Sequence, residues 1–155
     1  MIELPPHTPI VLPTIKPNGH WIFPETMRPD KHAGFVYAII DLVMGMGYIG
    51  KKNYHSMQQA RKVPSDWKTY CSSSNTLKLL FQHRPKSEFE FICIEEYANR
   101  GDLAYAESWS LFQVKALESN YWYNRGIESV GWKVKTPPTA RHREHLDMVY
   151  ERIHG

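Results

Sequence analysis

Apolar side chains run through Phe35-Val36-Tyr37-Ala38-Ile39-Ile40, a stretch rich in β-branched and aromatic residues that predicts a strand. Gly45-Met46-Gly47 then permits a reversal, and Tyr48-Ile49 resumes an extended run, so the pattern predicts a β-hairpin with a tyrosine on each arm. Side chains alternate faces along a strand, which puts Phe35, Tyr37 and Ile39 on one face and Val36, Ala38 and Ile40 on the other. Between Glu88 and Tyr97, acids alternate with apolar residues in the manner of a strand with one dry face.

Helical spacing governs the rest. Leu77, Leu79, Leu80 and Phe81 form an amphipathic run that ends near Pro85, and Ser72-Ser73-Ser74-Asn75 supplies several N-cap choices before it. Leu103, Ala106, Leu111, Val114 and Leu117 repeat at helical spacing between residues 102 and 117. Thr139 to Ile153 reads as a charged helix. The polar segment Lys51 to Lys62 is read as a short helix, interrupted by Pro64 and Ser65, and the predicted order is β-β-α-α-β-α. Seven of the eleven prolines fall in the first 34 residues, which argues for an extended arm laid on the domain or on a partner.

A chain of 155 residues can bury a core without disulfides. No apolar run approaches a membrane span, and the start MIELPPHTPIVLP lacks the basic and apolar blocks of a signal peptide, so a soluble, cytoplasmic protein is expected. Cys71 and Cys93 have no ligand-like spacing and read as reduced structural residues, which sets zinc aside. His142, His145 and His154 form no recognisable ligand set, and Trp21, Trp122 and Trp132 read as packing residues.

Charge changes the picture, because it is unevenly spread. Residues 51–86 hold Lys51, Lys52, Arg61, Lys62, Lys68, Lys78, Arg84 and Lys86 against the single acid Asp66, whereas residues 87–120 hold seven acids against two bases. The basic segment follows the tyrosine hairpin directly and carries Tyr54, Trp67 and Tyr70 among its cations, a composition suited to a phosphate backbone. A solvated lysine-rich surface is the plainer alternative. His55, between the basic residues, is a candidate for positioning a phosphate or a water, and the hydroxyls of Ser72-Ser73-Ser74 serve either a backbone contact or a helix cap. Within the later helix, Glu107 lies one turn beyond Leu103 and beside Ala106, so its carboxylate emerges close to the apolar stripe and calls for a partner. A hard divalent cation with its waters is suitable.

The joint order of these features resembles the GIY-YIG nucleases. Phe35-Val36-Tyr37 and Tyr48-Ile49-Gly50 stand for the paired triplets, with Phe35 and Val36 where Gly and Ile give the family its name. The resemblance covers roughly residues 34–125. It implies an α/β fold: a small, mostly antiparallel three-stranded sheet flanked by helices, here with a proline-rich N-terminal arm (1–33) and a helical C-terminal extension (126–155).

It also implies a metal-dependent endonuclease acting on DNA, most simply a duplex, with Mg²⁺ or Mn²⁺ bound by Glu107. Tyr37 and Tyr48 would orient and help deprotonate the attacking water, while Lys51 and Arg61 offset charge on the phosphoryl oxygens. A phenol used as a base would need its pKa lowered. Many members carry an arginine ten residues beyond the second tyrosine, where this chain has Gln58, so Arg61 is the nearest candidate. Lys52, His55, Lys62, Lys68 and Asn124 are the implied nucleic-acid contacts, with Asn124 the better suited to fixing the glutamate helix or a water.

A single metal site cuts one strand at a time, so duplex cleavage would call for a homodimer, a second encounter or a nicking role. The C-terminal helix could pack on the domain, bind DNA or join two subunits. Compact members occur in phages, mobile elements and restriction systems. Two alternatives stay open: a nucleic-acid-binding protein with the same fold and no cleavage, and a protein-interaction domain in which the arm docks and the tyrosines pack.

Overall fold

The computed structural model describes residues 12–128 and 133–155; Trp132 lies outside them. Two strands, β1 (Gly34–Asp41) and β2 (Met46–Asn53), form the expected hairpin, and β5 (Phe89–Tyr97) pairs antiparallel with the far side of β1. The sheet order β2-β1-β5 leaves β2 at one edge. Between β2 and β5 come a second hairpin, β3 (His55–Gln58) with β4 (Arg61–Pro64), and helix α1 (Asn75–His83). Helices α2 (Arg100–Gln113) and α3 (Ala140–His154) complete the α/β architecture.

The alternation along β1 sorts its side chains into two cores. Val36, Ala38 and Ile40 join Ile49, Ile92 and Ile94 beneath α2 (Leu103, Ala106, Leu111) and α3 (Leu146, Val149, Ile153). Phe35, Tyr37 and Ile39 join Phe89, Phe91 and Cys93 beneath Leu77 of α1 and the segment carrying Trp21, Phe23 and Met27. Each fully buried aliphatic or aromatic side chain contributes about 1.5–3 kcal/mol, so the sheet is held from both sides. Trp21 and Trp122 are packing residues, 0% and 4% exposed.

Two expectations are corrected. Lys51–Lys62 is not helical: β2 continues to Asn53, and the chain then folds into the β3–β4 hairpin across Gln59 and Ala60, whose φ values are 50° and 62°. A left-handed pair of this kind ends any helix and matches the right-handed twist of a two-residue hairpin turn. Strand β5 is also dry on both faces rather than one. Ile22 runs parallel along its edge, donating to Phe91 O at 2.8 Å and accepting from Cys93 N at 3.1 Å, while Ile92 and Ile94, on the side that the alternation leaves to water, are buried beneath α2 and α3.

The β1–β2 turn is tightly fixed. Asp41 Oδ1 accepts from the N–H groups of Val43 and Met44 at 3.0 Å, while Arg84 clamps the carboxylate with two bonds of 2.7 Å. Tyr123 donates to the same group at 2.7 Å. Arg84 and these neighbours outweigh the burial that would otherwise push Asp41 up, and its pKa is lowered.

Candidate functional site at the free edge of the sheet

Strand β2 is an edge strand, so every second residue turns its N–H and C=O away from β1 and needs a partner. Three neighbours meet that need in order. Gly47 accepts from Tyr123 N at 2.8 Å and donates to Tyr121 O at 2.9 Å. Ile49 is bonded through both groups by the Asn124 side chain, its N–H donating to Oδ1 at 3.0 Å and its C=O accepting from Nδ2 at 2.7 Å. At Lys51 the next outward N–H meets the Glu107 carboxylate and favours its ionised form. Asn124 therefore substitutes for a neighbouring strand and fixes β2 between its tyrosine and its lysine.

Beside this edge lies a cleft of about 410 Å³, lined by Tyr37, Tyr48, Lys51, Ser73, Glu107 and Asn124, with Glu128 at its rim. The register explains how both sheet faces reach it. Tyr37 lies opposite Gly50 and Tyr48 opposite Ile39, so both phenols leave on one face, with ring centroids 6.2 Å apart. Glycine at position 50 is required, because a Cβ there would lie 2.5 Å from the Tyr37 hydroxyl. Lys51 leaves on the opposite face, where α2 packs, and Glu107 on α2 comes round the edge to meet it.

The electrostatics are those of a carboxylate short of positive charge. Burial raises the Glu107 pKa to about 7; the Lys51 ammonium opposes this and Glu128 adds to it. Lys51 Nζ lies 3.7 Å from the exposed Glu128 carboxylate. Burial, then the Tyr48 and Tyr70 phenols, hold Tyr37 well above the ordinary tyrosine range, and burial also raises the half-exposed Tyr48. The lowered pKa that a phenolic base would need is thus opposite in sign to what this cleft imposes. Among the described residues no three His, Cys, Asp or Glu side chains gather as a metal cluster. Glu107, seconded by Glu128, is still a fitting donor set for a hard cation that keeps most of its waters and is bound by one or two carboxylates and a phosphate.

The remaining predicted residues lie elsewhere. Arg61 is exposed on β4, does not line the cleft, and is not among the charges that act on Glu107. The left-handed turn carries it up the second hairpin, and Lys62 beside it is exposed too. Lys52 is engaged on the phenol-bearing face, 2.8 Å from Asp66 and 3.8 Å above the Tyr70 ring. His55 opens β3 and Lys68 is exposed in a short turn after Asp66.

Sequence reasoning missed Ser72 as part of the site. It is buried, with φ of 108°, and its hydroxyl approaches both Tyr37 and Tyr48 and favours their ionised forms. Its Oγ accepts from Ser74 N at 2.9 Å, while Ser74 caps α1 by accepting from Leu77 N. The serine run signalled the cap; nothing in it signalled the strained backbone.

Residues 21–127 match the family model described as "Putative endonuclease segE, GIY-YIG domain". No curated protein and no solved structure matches the chain.

Proposed function

The chain belongs to the GIY-YIG nuclease superfamily, and from that premise we propose that it is a metal-dependent endonuclease that hydrolyses phosphodiester bonds of DNA at the β2 edge. One observation carries the reading: two phenols, a lysine and an undercompensated carboxylate, far apart in the chain, line a single cleft. Glu107 would hold Mg²⁺ or Mn²⁺, with Glu128 in reach of the same cleft. Such a cation supplies Lewis acidity to the scissile phosphate and offsets charge on the leaving 3′-oxygen.

The chain's own groups do the positioning. The Lys51 ammonium offsets charge that grows on a phosphoryl oxygen. Tyr48, the more exposed phenol, orients the attacking water through Oη, and Tyr37 fixes the phenol pair from below. Burial holds both phenols protonated, so they act as hydrogen-bonding groups. Asn124 holds the Ile49 backbone and, through it, the spacing between Tyr48 and Lys51.

Arg61, outside the cleft, favours a second reading in which the protein binds DNA without cutting it. Incubation of supercoiled plasmid with Mg²⁺ or Mn²⁺ separates the two. Metal-dependent nicking that disappears in Glu107→Ala is expected; DNA binding without nicking in the parent would leave the binder, and neither activity would leave a protein-interaction domain.

A further inference from the structure

The β3–β4 hairpin stands apart from the rest of the molecule. None of its strand residues is buried, on either face. A two-stranded ribbon without a dry face is marginal in water. This one also turns through Gln59 and Ala60, both left-handed, where Asn-Gly would fit without strain. Its base is nonetheless firmly anchored. Tyr54 is fully buried and donates to Glu96 at 2.6 Å, Ser65 N donates to Tyr54 O at 2.8 Å, and the Ser65 hydroxyl donates to Asn53 O at 2.7 Å. The result is a fixed arm with a free tip.

Its chemistry is one-sided. From His55 to Pro64 it carries Arg61, Lys62 and a histidine and no acid. Gln58 lies opposite Arg61 beside the turn, and Met57, 60% exposed, lies opposite Lys62. The arm starts four residues after Lys51 of the cleft, a span of no more than about 13 Å at strand rise.

We infer that this hairpin is a nucleic-acid-reading arm that enters the major groove of a DNA duplex beside the phosphate held in the cleft. The major groove admits a two-stranded ribbon, arginine pairs with guanine and glutamine with adenine, and both residue types sit at the tip. Lys62 neutralises a flanking phosphate. Groove contacts replace the dry face that the ribbon lacks, and the arm gives Arg61 a role outside the cleft. The inference rests on the DNA-nuclease reading for its partner.

The test separates the two. Affinity for a labelled 30-base-pair duplex is measured without divalent cation across a salt series, and cut positions are mapped with Mg²⁺ on a long fragment. Arg61→Ala with Lys62→Ala is expected to weaken binding at least about tenfold and to flatten the salt dependence by one to two contacts. Gln58→Ala is expected to redistribute the cut positions. If the parent nicks DNA and the hairpin variants bind and cut as it does, the arm is refuted and the nuclease stands. If the parent binds duplex without nicking and the variants lose that binding, the arm stands and the hydrolase falls.

Discussion

The two hairpins of this molecule are opposites. The β1–β2 hairpin is packed on both faces, clamped at its turn by Arg84 on Asp41, and stitched along its open edge by the backbone of 121–123 and by Asn124. The β3–β4 hairpin is dry on neither face and turns through two strained residues. Reacting groups need positions fixed to fractions of an ångström, and the first hairpin supplies them; a surface that must fit a partner gains from staying free, and the second does so. Rigidity and reach are thus divided between consecutive segments of one chain.

The largest effect should come from loosening the first hairpin. Arg84→Ala leaves the fully buried Asp41 without its cation and is expected to cost about 3–5 kcal/mol, read as a lower urea midpoint with unchanged slope. An unchanged midpoint would show that the turn is not held by this pair.

The layer behind that hairpin should be sensitive to acid. His142 is fully buried between Tyr97 and Ser110, at 2.8 and 2.7 Å. The Ser110 hydroxyl donates to Ala106 O at 2.6 Å, so it accepts from His142 Nε2–H, while Tyr97 donates to Nδ1. Burial, then the nearby His145 and Arg143, lower its pKa from 6.5 to about 3. The unfolded chain therefore binds the proton first. Stability is full above pH 6.5 and falls by up to about 1.4 kcal/mol per unit as pH drops toward 3. Denaturation at pH 7 and 5 should show the loss in the parent and not in a folded His142→Gln variant.

A smaller effect of the opposite sign is expected at the cleft. Glu107 is raised to about 7 by burial, so its ionised form destabilises the metal-free fold as pH climbs from 4.5 through that value. Glu107→Gln should stabilise the metal-free protein at pH 8, by about 1 kcal/mol after discounting for its partial exposure, and have no such effect at pH 4. A destabilised variant at pH 8 would mean that the Lys51 contacts outweigh burial. The smallest effect belongs to the second hairpin. Replacing Gln59-Ala60 by Asn-Gly relieves two left-handed residues and should raise stability by no more than about 1 kcal/mol.

The same division governs what the sequence revealed. Tyr37, Tyr48 and Glu107 were singled out by the joint order that resembles the GIY-YIG nucleases, while the periods of their elements fixed only the face each one takes. Lys51 followed from its place after Tyr48. The second hairpin was not legible: its polar strands carry no alternation, and Gln59-Ala60 lacks the Gly or Asn that marks a turn, so the residues looked helical. The second dry face of β5 escaped for a different reason, since α2 and α3, which cover Ile92 and Ile94, lie later in the chain and no local pattern says where they pack. Asn124 was found by its place in the chain, yet its bonds to both groups of Ile49 depend on a parallel run along β2 that no local pattern encodes. Ser72 was hidden because a positive φ leaves no mark in a serine run.

The central claim is that groups from β1, β2 and α2 form one cation-dependent centre while the second hairpin does not. Titration of the ¹⁵N-labelled protein with substoichiometric Mn²⁺ reads this directly, because the ion broadens the resonances nearest to it. Broadening strongest at Glu107, Lys51 and Tyr48, and lost in Glu107→Gln, is the predicted result. Broadening centred on another surface, or surviving unchanged in that variant, would contradict the account.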